Sequence, residues 1–455
     1  MAQTDSVIDV SKFINERPIS AFQYAVVALC ALTVFLDGFD VQAIAFVAPS
    51  IVGEWHISRD ALGPIFVASL VGLLIGALIF GPLADKIGRR KVLLACTLIF
   101  GGLTLATAFA NSVTVLLALR FVTGVGLGGA MPNAIALTAE YCPQRRRATL
   151  VMIMFTGFSL GAALGGLLAS MIIPTLGWRG VFYVGGTLPL GLFLVQIFFL
   201  PESIRFLVIS NAPIEKLVAL IRRMDPHFSS SWATHFDIGE LRAEGVPVAY
   251  LFRGGRALGT ILLWVMFFMN LLALYFMQNW LPILLHDDGL PVEQAVFIAS
   301  LFQFGGVGAA LIVGFIIDRF TGYTVLPVLY ALGFVFVIAV GQAGSSVPAL
   351  TALVFAAGFC IVGGQNSNNA HAAIFYPTVV RATGVGWALG IGRLGAVVGP
   401  LLAGVLIAFH WRNSSLFIVL AIPLMIACVA VIIMGFAYHR RENRAVGVTQ
   451  SDAVH

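Results

Sequence analysis

The sequence predicts an all-α membrane protein: twelve transmembrane helices in two six-helix bundles related by a pseudo-two-fold axis. Three observations carry that prediction: the composition, a series of long apolar runs and an internal repeat. Hydrophobic residues fill 59% of the 455 positions and charged residues only 10%, where soluble chains have about 25% charged. Mean hydropathy is +0.98. The 26 Lys+Arg and 21 Asp+Glu are too few to coat a soluble particle of this size. That excludes a soluble enzyme, a nucleic-acid binder and a disordered chain. The five cysteines (Cys30, Cys96, Cys142, Cys360, Cys428) lie in or beside apolar stretches without CxxC or Cys/His spacing, so free thiols are expected. The polar first 20 residues and the length of the first apolar run argue against a cleaved signal peptide.

Crossing about 30 Å of hydrocarbon as helix takes roughly 20 residues. Runs of that kind occur at 21–48, 61–83, 92–110, 114–139, 148–173, 180–200, 257–285, 292–317, 324–343, 349–373, 382–409 and 414–437. Helix is the assignment because lipid offers the backbone no other open way to pair its polar groups. The runs are also too long for barrel strands. Segments on the side of the chain ends hold 21 Lys+Arg and the opposite loops hold Arg59, Arg179 and Arg412. That asymmetry predicts both termini in the cytoplasm.

Residues 201–256 form the one long polar insert, with Arg205, Lys216, Arg222 and Arg223. They read as a cytoplasmic linker carrying a short helix near 213–224. The expected organisation is an N-tail over 1–20, bundles over 21–200 and 257–437, and a C-tail over 438–455. The halves repeat at 233 or 234 positions. Asp85 matches Asp318, Pro49 matches Pro282, and Trp178-Arg179 matches Trp411-Arg412. Arg147-Ala148-Thr149 matches Arg381-Ala382-Thr383, and Gly161 and Gly165 match Gly395 and Gly399. A parallel repeat implies a site at the midplane between halves, opened alternately to each side.

The turn after the second span reads Gly81-Pro-Leu-Ala-Asp85-Lys-Ile-Gly88-Arg89-Arg90-Lys91. It resembles the signature loop of the major facilitator superfamily. Asp85 ends a helix and can meet the positive end of another helix dipole. By the resemblance that helix is span 11, near Thr383, with a mirror contact from Asp318 to the start of span 5. The fifth span, Gly157-Phe-Ser-Leu-Gly161-Ala-Ala, lacks the proline of the superfamily's drug-antiporter signature, which favours uptake over export.

The first span carries Asp37-Gly38-Phe39-Asp40 among apolar residues. Each buried carboxylate costs about 2.5–3.5 kcal/mol on insertion scales, so a function is expected of them. At i and i+3 they share nearly one helix face. Carboxylates withdrawn from water and set close together bind protons more readily, which is what a proton carrier requires. The alternative is a structural ion pair with a buried arginine, and the two overlap, because breaking such a pair passes a proton. Arg120 in span 4 and Arg393 in span 11 are the intramembrane arginines. Either suits a carboxylate by two-point contact. Arg393 is favoured as substrate ligand, with Arg120 holding the aspartates or the fold. Gln278-Asn279-Trp280 in span 7 and Gln365-Asn366-Ser367-Asn368-Asn369 in span 10 indicate a wet cavity with partners for a substrate hydroxyl, or else helix-to-helix hydrogen bonds.

Four stretches together are similar to the aromatic acid:proton symporter branch of that superfamily, including its 4-hydroxybenzoate/protocatechuate transporters. They are the Asp37–Asp40 element, Leu127-Gly-Gly-Ala-Met-Pro-Asn133, Pro201-Glu-Ser-Ile-Arg-Phe206, and Tyr376-Pro-Thr-Val-Val-Arg381-Ala-Thr-Gly384-Val-Gly-Trp387 with Gly390-Ile-Gly392-Arg393. The likeness spans about residues 20–437. It implies proton-coupled import of a monoanionic aromatic carboxylate across a bacterial inner membrane. A monomer with no cofactor beyond the proton is expected, and an enzyme is not, because no Ser/His/Asp, metal or nucleotide motif stands out. The family's sensitive positions fall on Asp37, Asp40, Asp85, Arg120, Glu140, Asp318, Arg381 and Arg393. Arg89, Glu140 and Arg381 read as gate charges with Asp85 and Asp318. The chain departs from the family after span 8, where Arg319-Phe-Thr-Gly-Tyr323 replaces a loop often containing His. Other readings are a transporter of another organic acid, an exporter, or an added chemosensory role.

Overall fold

The structure, a computed structural model, describes residues 7–210, 212–226, 228, 235–237, 248–319, 322–376 and 378–451. Four helices cross the first part of the chain: α2 (Ala21–Trp55), α3 (Leu62–Ile87), α4 (Arg89–Thr107) and α5 (Val113–Tyr141). A short α1 (Val10–Glu16) precedes them. Next come α6 (Gln144–Phe199) and two short helices, α7 (Ile204–Ile209) and α8 (Ile214–Met224). The second half holds α9 (Ala257–Asp287), α10 (Val292–Arg319), α11 (Gly322–Gln342), α12 (Val347–Phe375), α13 (Thr378–Ala408) and α14 (Asn413–Ser451). Eleven of these are long and apolar enough to cross a membrane.

Twelve expected spans fit in eleven helices because α6 holds two. Its 56 residues would run about 84 Å at 1.5 Å per residue, far beyond one hydrocarbon thickness. The break falls at Gly177, with φ 66° and ψ −176°. That backbone region is essentially restricted to glycine, so spans 5 and 6 reverse there without a loop. The linker holds α7 as well as the helix expected near 213–224. The described residues also contain a two-stranded parallel pair, Val7–Asp9 with His235–Asp237, the one departure from an all-helical chain.

By internal contacts the chain forms two compact units. The first gathers Met1–Ala43, Ala68–Gly165 and Thr175–Ala243, and the second Ile44–Val67, Gly166–Pro174 and Glu244–His455. The repeat is visible in how helices cross within each. A Cβ on Gly161 of α6 would overlap the Phe35 carbonyl of α2, and one on Gly395 of α13 would overlap the Phe268 carbonyl of α9. Likewise Gly124 of α5 backs onto Ser69 of α3, and Gly358 of α12 onto Phe302 of α10. In each case the partners recur 233 or 234 positions on. Without a hydrophobic driving force between helices in lipid, such close backbone approach is what holds a bundle together.

Candidate functional site

The first unit buries a charge pair. Arg120 of α5 is 0% exposed and Asp40 of α2 1% exposed. Arg120 Nη1 donates to both carboxylate oxygens of Asp40, at 3.1 and 3.3 Å. An unpaired charge here would cost several kcal/mol (about 3–5 when one partner of a buried pair is removed). The second guanidinium nitrogen, Nη2, points to three hydroxyls: Thr107 Oγ1 at 3.0 Å, Thr123 Oγ1 at 3.3 Å and Thr104 Oγ1 at 3.4 Å. Thr104 itself donates to Asp40 Oδ1. The Phe182 ring of α6 closes the site, 5.1 Å from the guanidinium carbon, within cation–π range. Asp37 lies one turn earlier on α2 and is also buried. Phe39 packs where Cβ atoms on Gly165 and Gly185 would clash, which fixes the helix face carrying the aspartates.

The sequence expectations gave Arg120 two roles, substrate ligand or partner of the aspartates. The geometry gives it Asp40. The threonines went unnoticed in the sequence. Their signal was present: Thr104 and Thr107 are three apart on one face of span 3, and Thr123 is one turn beyond Arg120.

The second unit places the remaining expected ligands. Among the described residues, Arg393 of α13 is half-buried and has no ion-pair or hydrogen-bond partner. Gln278 and Asn279 are buried on α9. The Gln278 side-chain oxygen has no hydrogen-bond partner among the described residues, and Asn279 Nδ2 donates to the Tyr275 carbonyl at 2.8 Å. Asn366 of α12 is exposed, while its neighbours Ser367 and Asn368 are buried. Asn270, missed in the sequence, is fully buried and donates to Gln365 Oε1 at 2.8 Å. Trp387 stacks on Trp264 with ring centroids 5.9 Å apart. The side chains of Asp318 and Arg381 lie outside the described residues.

The charged turn at the end of α3 forms a third cluster. Arg89 lies 3.3 Å from Glu140 Oε1 and 3.5 Å from Asp85. Asp85 is 72% exposed. Ser203 donates to Glu140 Oε2 at 2.5 Å. Gly88 turns with φ 104°, and a Cβ there would strike the Glu202 carboxylate. Glu202 Oε1 accepts from the Arg90 backbone N–H at 2.9 Å, capping α4 from the linker. All five cysteines are buried and free. Burial pushes the Cys142 thiol up to about 11.

At the opposite ends of the spans, within the second unit, Arg59 pairs with Asp287 at 2.7 Å. Asn413 donates to Asp288 at 2.8 Å. Burial raises the Asp288 carboxyl, opposed by the Asn413 hydrogen bond and the Arg59 charge. Phe66 meets Trp280 edge-on at 5.3 Å.

Two groups of membrane-length helices, each held by repeated glycine crossings, with an ion pair buried in one of them, are the make-up of a membrane transport protein. The sequence profile of the Major Facilitator Superfamily matches residues 30–378, and the chain belongs to that family. It is 45% identical over 434 residues to the 4-hydroxybenzoate transporter PcaK of Pseudomonas putida, covering 95% of this chain and 97% of that one. The gallate transporter of Pseudomonas putida is 43% identical over 434 residues, covering 95% and 96%. A crystal structure of a bacterial homologue of the human lysosomal transporter Spinster superposes with TM-score 0.70 at 18% identity, covering 93% of this chain and 99% of that one, a likeness of fold alone.

Proposed function

We propose that the protein couples inward proton flow to uptake of a monoanionic aromatic carboxylic acid, such as 4-hydroxybenzoate or protocatechuate, by alternating access. The observation that carries the coupling is the Asp40–Arg120 pair, buried at 3.1 Å. When Asp40 takes a proton, Arg120 loses its counter-charge. The first unit then holds an unbalanced cation, which favours an organic anion nearby. Proton and anion therefore bind in support of one another, the requirement for symport. Releasing either destabilises the other. The substrate class is supported by the 4-hydroxybenzoate and gallate transporters at 45% and 43% identity.

In this reading Asp37 and Asp40 carry protons. Arg393, half-buried and without a partner among the described residues, takes the substrate carboxylate, and Gln278, Asn279 and Asn366 serve its ring substituents. Asp85, Arg89, Glu140, Asp318 and Arg381 are the gate charges on the cytoplasmic side of a bacterial inner membrane, and the carrier works as a monomer. One proton with one monoanion is electroneutral and yields about 1.4 kcal/mol per pH unit. A second proton adds about 2.3 kcal/mol per 100 mV.

The test uses membrane vesicles with labelled 4-hydroxybenzoate. Asp40→Asn is expected to abolish accumulation against a gradient while exchange of internal for external substrate continues. Full pH-driven accumulation by that variant would remove Asp40 from the coupling. A competition panel of ring acids defines the substrate.

A further inference from the structure

Four of the seven buried threonines among the described residues share one pattern, while Thr138 turns to Met154 Sδ and Thr260 to the Leu251 carbonyl. The hydroxyls of Thr33, Thr97, Thr107 and Thr123 each donate to the carbonyl four residues back, at 2.7–2.9 Å. Thr104 also departs from that pattern: its single proton goes to Asp40 Oδ1 instead of the Phe100 carbonyl four residues back on α4. Around Arg120 the hydroxyls thus divide into two kinds. Thr107 and Thr123 have spent their protons on their own helices, so toward Nη2 they can only accept. They hold the guanidinium whatever the state of Asp40. Thr104 accepts from Nη2 and donates to Asp40 together, so it is the one hydroxyl tied to the charge on that carboxylate.

We propose that Thr104 is a hydroxyl switch. It donates to Asp40 while that carboxylate is charged. When a proton from water adds to Oδ1, that oxygen becomes the donor to Thr104 Oγ1, and the Thr104 O–H turns to the Phe100 carbonyl. One hydrogen bond is lost and two are gained, and no buried donor is orphaned. Arg120 stays in place on Thr107 and Thr123, so protonation changes the charge of the site without moving its cation. Other groups facing Asp40 do not duplicate the role. Arg120 is the charge contributed by α5. Asp37 lies on the same helix, with Cys96 of α4 in its field, and α6 presents the Phe182 ring. Thr104 is therefore a positioning residue for the proton. The inference rests on Asp40 carrying it.

The test is the initial rate of 4-hydroxybenzoate uptake against external pH in proteoliposomes. Valine for Thr104 removes the donor that favours charged Asp40. Half-maximal uptake is expected about one pH unit higher than in the parent, the size of a hydrogen bond to a charged group. Thr104→Ser should restore the parent profile. Thr107→Val should lower the rate and leave the profile where it was. Thr104→Ala runs beside the valine variant, and whichever reaches the membrane decides. A Thr104 variant whose profile overlays a pH-sensitive parent overturns the switch. A parent whose uptake ignores pH overturns the proton reading itself, and the switch with it.

Discussion

Arg120 is a fully buried cation that pairs with Asp40 and with the hydroxyls of Thr104, Thr107 and Thr123. Its planar fork divides between one carboxylate and three hydroxyls, a geometry that the compact ammonium of lysine cannot reproduce. Removing the guanidinium leaves Asp40 buried and unmatched, at about 3–5 kcal/mol. Arg120→Gln is therefore expected to lower the thermal unfolding temperature in detergent substantially. Asp40→Asn combined with Arg120→Gln should recover much of that loss, because neither charge is then stranded. A double variant no more stable than Arg120→Gln alone would show that the pair is not coupled. Much of this site was legible in the sequence. A carboxylate or an arginine in an apolar span stands out by its cost, so Asp37, Asp40 and Arg120 were identifiable, as was Arg393 in the second unit. The hydroxyl cage was not, because a threonine that satisfies itself on its own helix is inexpensive in a membrane span. Only its position opposite Arg120 gives it a role. Glu202, read only as part of the Pro201–Phe206 stretch, showed no role of its own for a related reason. It reads as a solvated linker charge until the fold brings it to the start of α4.

At the scale of helices, glycines govern the crossings. Gly161 against Phe35 and Gly395 against Phe268 leave no room for a side chain, so Gly161→Leu and Gly395→Leu should each cost about 1–3 kcal/mol or more through overpacking. The two losses should be similar, because the contacts are repeats of one another. Thermal unfolding in detergent, read by tryptophan fluorescence, would show this. A neutral Gly161→Leu would contradict the close crossing. The twelve spans could be placed from hydropathy because lipid demands uninterrupted apolar helices. Hydropathy does not report a reversal, however, and the junction of spans 5 and 6 at Gly177 rests on a single positive φ that no apolar pattern encodes. The strand pair between the N-tail and the linker was equally hidden. Three-residue strands have too little alternation to read.

For the molecule as a whole, α2 is divided, with residues up to Ala43 in one compact unit and those from Ile44 in the other. In the proposed alternating-access cycle, Arg59–Asp287 at 2.7 Å is a contact expected to break. Cysteines at 59 and 287, joined by a short bifunctional thiol reagent, should stop uptake, with the reducible form of the linker restoring it. The native cysteines, buried as they are, should leave the parent protein little affected. Uptake undiminished by a completed cross-link would mean that this end does not open. The internal repeat was readable from sequence, and its glycine crossings recur at 233 or 234 positions within each unit. The sharing of α2, α3 and α6 between compact units was not readable, because hydropathy marks each span and not the contacts it makes.

The most direct measurement places the purified protein in liposomes containing a pH-sensitive dye, without a membrane potential, and adds 4-hydroxybenzoate outside. Coupled entry predicts that the lumen acidifies as labelled substrate accumulates, in constant proportion, and that both signals vanish together in Asp40→Asn. Substrate entry with an unchanged luminal pH, in protein that transports at full rate, would contradict it.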